Sequence, residues 1–303
     1  MMRIIIFTIF CLHAEAFGQF KSYADRLEFM RESEIDVARV ALTMAQEFYP
    51  SLDVEAYSKK IDAMAEEIRI LTKGNTAPDY RIRAMNTYLF KMKNFAYDYT
   101  DPMGKKPENR FLNGIIDNRK GNCYTLPLLY LSIAQRLRYP IYPVGVPEHL
   151  FLRYIDPRLE HQNIEVAGQG GYISDEEHIK MANIPWSAIQ SGAYLTTMTL
   201  KQFLAEMLAT NAIQHAKNKN YETAIKYAKT AIRLSPQTPE HYDLLGRLYG
   251  NIIKNHLAGG DPEWAKIYTP LRDSAFAAAK RHGFIDLPDE EYIKKTLLKA
   301  GTQ

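Results

Sequence analysis

Three residues of this 303-residue chain have the types that thiol chemistry requires: Cys123, His149 and Glu165. A cysteine nucleophile needs an imidazole to take and return its proton, and a carboxylate to orient that imidazole. Cys123 sits in Gly121-Asn122-Cys123-Tyr124-Thr125-Leu126-Pro127, at the mouth of an apolar, helix-like run. Unpaired amides at a helix N-terminus carry partial positive charge, which favours a thiolate and can hold a developing oxyanion. If Asn122 caps that helix, Pro127 has no amide to offer the Cys123 carbonyl. A local rule broken beside a nucleophile points to a functional site. The plainer reading is a helix that begins one turn later.

Each residue also has an ordinary structural role open to it. A lone cysteine before an apolar helix can be a small buried hydrophobe, and a lone strand histidine can be hydrogen-bonded scaffold. Asp156 competes with Glu165 as the orienting acid, although Asp156-Pro157 is also a turn signal. His161, His178, His215, His241, His256 and His282 form no set with metal-ligand spacing, and no cofactor is expected.

The elements around these residues place them. His149 to Tyr154 and Gln162 to Ala167 have strand composition and flank a turn at Pro157. A hairpin centred there sets position 149 opposite 165. Side chains alternate faces, so Leu150, Leu152, Ile164 and Val166 face the core. His149 and Glu165 then share the other face within cross-strand reach. Ile141 to Val146 is a further strand. From Cys123 to Leu137 the chain is apolar on nearly all sides, as in a buried central helix. Residues 22 to 97 have helical spacing, with Tyr49-Pro50, Gly74 and Ala77-Pro78 as breaks. Tyr97 to Glu108 is a polar loop. Ser174-Asp175-Glu176-Glu177 can cap a helix, and after Gly192 the chain returns to helix. There Tyr242, Leu245, Gly246 and Tyr249 match the first helix of a tetratricopeptide unit. Ala224, Ala228, Ala231 and Pro236 match the second helix of the preceding unit, at a 34-residue spacing. The second unit is interrupted at Gly259-Gly260-Asp261-Pro262.

Composition bounds the function. The net charge is +3 with scattered basic residues, which gives no nucleic-acid stripe. There is no Gly-rich phosphate loop. Met1-Met2-Arg3, the apolar Ile4 to Leu12 and the small residues Ala14 and Ala16 form an export-signal pattern over 1–18, with a mature start at Phe17 or Gln19. The apolar run is too short for a permanent span, so stable membrane insertion is not expected. Of the two cysteines, Cys11 falls in this signal. An exported protein would then keep one unpaired thiol in an oxidising compartment, periplasmic or secreted. The partition expected is 1–18 signal, 19–204 helical section plus core, and 205–303 helical repeat region.

On Asp117 to Cys123, the apolar helix to Leu137, Val146 to Arg153 and Asn163-Ile164-Glu165, the chain resembles the transglutaminase-like superfamily. More narrowly, it is similar to a bacterial branch in which tetratricopeptide helices follow the core. The resemblance implies an α+β, papain-like fold: a central helix packed on a small antiparallel sheet, with a helical N-terminal section. It implies Cys123 as nucleophile, His149 as base and Glu165 at the acid position, where the superfamily usually has Asp. An amide or peptide substrate, cleaved or transferred through a thioester, is the expectation. The alternative is a non-catalytic module that holds a protein or peptide partner on its helices.

Overall fold

The computed structural model describes residues 23–101 and 104–287. The export pattern over 1–18, with Cys11, lies outside the described residues. The fold is mostly helical, with two small sheets around the cysteine and histidine segments and a long helical stretch after them.

The chain enters through α1 (Tyr23–Phe29), α2 (Val37–Ala45), α3 (Val54–Thr72) and α4 (Pro78–Asn86). Asp36 and Asp53 start α2 and α3, each accepting a first-turn amide at 3.0 and 2.9 Å. Pro78 occupies the first turn of α4, where its missing amide costs nothing. α4 then widens into a π-helical turn over Thr87–Met92. Helix does not reach residue 97, as its spacing suggests. Asn94 takes φ +57°, and Ala96–Tyr97 forms a short strand, β1, parallel to β2 (Lys120–Gly121). Between them lies α5 (Leu112–Asn118), a helix where the sequence shows only a short apolar segment.

α6 (Thr125–Leu137) is the centre of the molecule, buried from Thr125 through Ala134. It packs against α2, α3 and α5 and against the sheet strands, so no face is left for water. Its end is fixed by polar contacts. Gln135 accepts from the Val37 amide at 3.0 Å and donates to the Ile35 carbonyl at 2.6 Å. Arg136 reaches the carboxylates of Asp62 and Asp36 at 2.5 and 3.3 Å.

The sheet runs β3 (Ile141–Val146), β4 (His149–Tyr154), β5 (Asn163–Ile164), all antiparallel. Leu152 pairs with Ile164 and Arg153 with Asn163. Continued outward, this register sets 165 opposite 151, two residues from the pairing a turn centred on Pro157 gives. A shift of two preserves the alternation, so Glu165 still shares a face with His149, on a diagonal. β5 is also shorter than Gln162 to Ala167. The Glu165 carboxylate accepts the Ala167 amide at 3.2 Å and caps a 3-10 turn, Val166–Gly168. Gln169 and Gly170, at φ +60° and +80°, then turn the chain away.

Ser174 and Glu177 form a capping box on α7 (Asp175–Ala182), followed by α8 (Trp186–Gln190). The amides of Leu195 and Met198 return to β3 carbonyls at 2.9 and 2.8 Å. Helices α9 (Leu200–Lys217), α10 (Tyr221–Leu234), α11 (Pro239–Ala258) and α12 (Glu263–Arg281) follow. Each packs on the next, and α9 and α10 also pack on α1. α9 runs unbroken through residues 204 and 205. Among the described residues no helix is long and apolar enough to cross a membrane.

Gly114 lets α5 sit against the 3-10 turn Pro107–Asn109: a Cβ there would stand 1.9 Å from the Glu108 carbonyl oxygen. Gly114→Ala should therefore destabilise the fold by about 1–3 kcal/mol, as overpacking does. A urea denaturation midpoint no lower than wild type would contradict this close approach.

Candidate functional site

The cysteine loop is built around Asn122. Its Oδ1 accepts the amides of Tyr124 and Thr125, both at 2.9 Å, and its own amide donates to Thr125 Oγ1 at 3.1 Å. The Leu126 amide already bonds the Asn122 carbonyl at 3.2 Å, but Pro127 has no amide for the Cys123 carbonyl. Both sequence readings thus describe part of the geometry: Asn122 is the cap, and the regular helix begins at Thr125. One expectation changes. Because Asn122 occupies the Tyr124 and Thr125 amides, those two are not open to an oxyanion. The Cys123 amide has no partner among the described residues.

His149 is the first residue of β4, after the two-residue turn Pro147-Glu148. Proline at the first turn position and Glu148 at φ +56° at the second give the type II pattern, which ordinarily takes glycine there. This non-glycine left-handed residue stands directly before the histidine. The thiol of Cys123 lies 3.9 Å from the Glu148 carbonyl oxygen. His149 Nε2 and Glu165 Oε2 are 2.7 Å apart, and both side chains are 1% exposed.

The ring's other nitrogen, Nδ1, is buried and meets no group with hydrogen-bond geometry. Yet Cys123 is close enough to make the ring more basic. The Cys123 sulfur thus acts on the ring at short range although Nδ1 has no partner of full hydrogen-bond geometry, a looseness common in sites without substrate. Burial works against a charged His149, but the Glu165 carboxylate and the Cys123 sulfur outweigh it and raise the ring to about 10. Asp156, the competing acid, is elsewhere: its carboxylate pairs with Arg158 at 2.7 Å, which helps hold it down to about 2.

Several residues at the site carried no recognisable signal in the sequence. Tyr97 lies in β1, paired with Gly121, and its hydroxyl is held up by burial first and by the Cys123 sulfur next. A cavity of about 630 Å³ opens at Cys123 and His149, and its far wall comes from α9 and α11. That wall carries Glu206, Glu240, His241 and Arg247. Glu240 accepts the Tyr194 hydroxyl at 2.7 Å, and burial pushes its carboxyl up to about 8. His241 and Glu206 are 3.1 Å apart. Among the described residues no group of three or more His, Cys, Asp or Glu side chains converges as a metal site would.

Known proteins resemble this chain over the segment that carries these residues. A family model described as "Transglutaminase-like superfamily" matches residues 55–209, which include Cys123, His149 and Glu165. Similar curated proteins bear the name UPF0162. One from Xylella fastidiosa is 22% identical over 69% of this chain and 75% of its own length. One from Buchnera aphidicola of Acyrthosiphon pisum is 22% identical over 77% and 85%, and one from Pseudomonas aeruginosa 22% over 69% and 76%.

The His149–Glu165 pair has a pH signature. Its folded pKa lies above the ordinary value of 6.5, so its stabilisation is whole below pH 6.5 and is lost as pH rises through about 10. Glu165→Gln should remove that slope and move the His149 ring titration toward neutrality. Unfolding free energies at pH 6.5 and 9.5, with ring proton shifts by NMR, read both. A variant with the wild-type slope and ring titration would mean that Glu165 does not hold the proton.

Proposed function

Because the chain belongs to the transglutaminase-like superfamily, we propose that it is a thiol enzyme acting on an amide or peptide bond, with Cys123 as nucleophile, His149 as base and acid, and Glu165 as orienting acid. The 2.7 Å contact between His149 Nε2 and Glu165 carries this reading. It fixes the ring so that Nδ1 is the nitrogen left for the sulfur, and it keeps the proton on the ring at neutral pH.

The chemistry follows from that arrangement. The Cys123 sulfur attacks the amide carbon, its proton residing on His149 Nδ1, and a C–S bond forms as the carbonyl oxygen takes the negative charge. The unpartnered Cys123 amide is the donor aimed at that charge. Collapse breaks the C–N bond, and His149 passes its proton to the leaving amine. Water, or a second amine, then attacks the thioester while His149 takes its proton. The sulfur leaves and is ready again. Membership of the superfamily does not choose between water and amine as the second reactant.

The C-terminal helices belong to the same proposal. Ala224, Ala228 and Ala231 are fully buried on α10, and a Cβ on Gly246 would lie 2.6 Å from the Phe276 ring. Small residues at helix crossings support two degenerate tetratricopeptide units, α9–α10 and α11–α12. They act here as a wall of the cavity and as the surface that presents a peptide. Export, with cleavage before Phe17 or Gln19, completes the reading, and N-terminal sequencing of the protein from the cell envelope tests it.

An activated ester such as p-nitrophenyl acetate should give a burst of one nitrophenolate per wild-type molecule and leave an acyl group on Cys123. Cys123→Ala should lose the burst, and His149→Ala should slow it by about 10²–10⁴-fold. Equal release by wild type and Cys123→Ala would sink the enzyme reading. A peptide pull-down indifferent to Cys123→Ala would then favour a binding module.

A further inference from the structure

Arg110 lines the same cavity as Cys123, His149 and Asn122. Its Nε is buried and has no hydrogen-bond partner among the described residues. Burial pushes it down from its ordinary value, with Asp101 as the nearest opposing charge. Asp101 is already engaged: it accepts the Lys105 and Lys106 amides at 2.7 and 2.9 Å and the Asn109 side chain at 2.9 Å. A second cation, Lys217 at the end of α9, stands near enough for Arg110 to oppose its charge. It also lines the cavity and donates to the Lys105 carbonyl at 3.0 Å.

Arg110 and Lys217 share one nearby carboxylate, Asp101, whose oxygens already accept three hydrogen bonds, and a partly buried guanidinium without an acceptor of its own costs stability. The arrangement is held firmly. Asn122 Nδ2 donates to the Asn109 carbonyl at 3.1 Å, which ties the residue before Arg110 to the residue before Cys123. Asp98, Asp101 and Asn109 brace the rest of that loop. A buried guanidinium N–H without a partner, in the cavity that also holds the nucleophile, matches a planar anion.

We propose that Arg110, with Lys217 beside it, is an anion subsite that takes a carboxylate of the substrate close to the amide attacked by Cys123. The proposal rests on the thiol-enzyme reading and narrows it to amides flanked by an acidic group, either a chain-end carboxylate or an acidic side chain. Glu206 also lines the cavity, on α9 about three turns before Lys217, which sets an acidic group at the other end of the same helix.

The test uses two alkylating agents of nearly equal size. Iodoacetate and iodoacetamide both form a C–S bond at Cys123 and expel iodide, but only iodoacetate carries a carboxylate. Their rate ratio, read at Cys123 by peptide mass spectrometry and divided by the ratio for a free thiol, cancels the reactivity of the sulfur. In wild type the corrected ratio should favour iodoacetate by roughly tenfold at low salt and shrink as salt is added. Arg110→Gln should bring it near one, Lys217→Gln should lower it, and Arg110→Lys should restore part of it. Lys229→Gln, on α10 and away from the cavity, should leave it unchanged. A wild-type ratio near one, or one unaltered in Arg110→Gln, overturns the subsite.

Iodoacetamide alone reports on the thiol-enzyme reading. A rate equal to that of an ordinary thiol, and unmoved by His149→Ala, defeats that reading while the ratio still decides the subsite. Protection from alkylation then separates the two sources of carboxylate. N-acetyl-trialanine protects if a chain end is recognised, and the amide of N-acetyl-alanyl-glutamyl-alanine protects if a side chain is. Equal effects from these two and from neutral N-acetyl-trialanine amide count against the subsite.

Discussion

The side chain of Asn122 joins the start of the central helix to the loop that carries Arg110. Its oxygen takes the first two amides of the central helix, and its nitrogen takes the carbonyl of Asn109. The orphan donors at the start of α6 are thereby satisfied by a residue that also pins the loop carrying Arg110. Gly104, at φ +56°, comes so close to this amide that a Cβ would lie 2.3 Å from Nδ2. Cys123 is the next residue along. Its position is set by a hydrogen-bonded amide on one side and by a proline that cannot donate on the other.

The second constraint is electrostatic. A histidine and a glutamate at 1% exposure are expensive to hold as separate charges, and breaking such a pair leaves one of them stranded. Their 2.7 Å contact therefore fixes the relation between β4 and the turn that follows β5. Phe151 and His178 stack behind, with rings 4.5 Å apart, and fill the face next to His149. The histidine is held by packing and charge, whereas the cysteine is held by capping.

What the sequence makes legible follows from the kind of pattern each feature leaves. The all-round apolar run of α6, the capping box at Ser174 and the alternation of β4 depend on local periodicity, and each appears where that periodicity sets it. Alternation alone puts His149 and Glu165 on one face, because it survives a register shift of two. The shift itself is invisible, since the loop between the two strands centres their pairing on Arg158 rather than Pro157 and no local pattern marks that difference. β1 is hidden for another reason: two residues pairing in parallel with Lys120–Gly121 leave no period to see. Gly259 to Pro262 reads as an interruption of a repeat, and it forms the turn between α11 and α12. Arg110 leaves no trace in the sequence, because what marks it is a buried Nε without a partner among the described residues, which only three dimensions reveal.

The helices facing Cys123 across the cavity are anchored elsewhere. Glu28 and Asp25 on α1 grip Arg233 and Lys226 of α10 at 2.7 and 2.8 Å, and Glu32 receives the first amides of α9. The near wall is tied to Asn122, and the far wall is tied to the opposite flank of the protein. α9 belongs to both supports, because Phe203 meets the ring of Tyr124 beside the cysteine and Lys217 donates to the Lys105 carbonyl, so a change in that helix is felt by the cleft and by the residue next to the sulfur together.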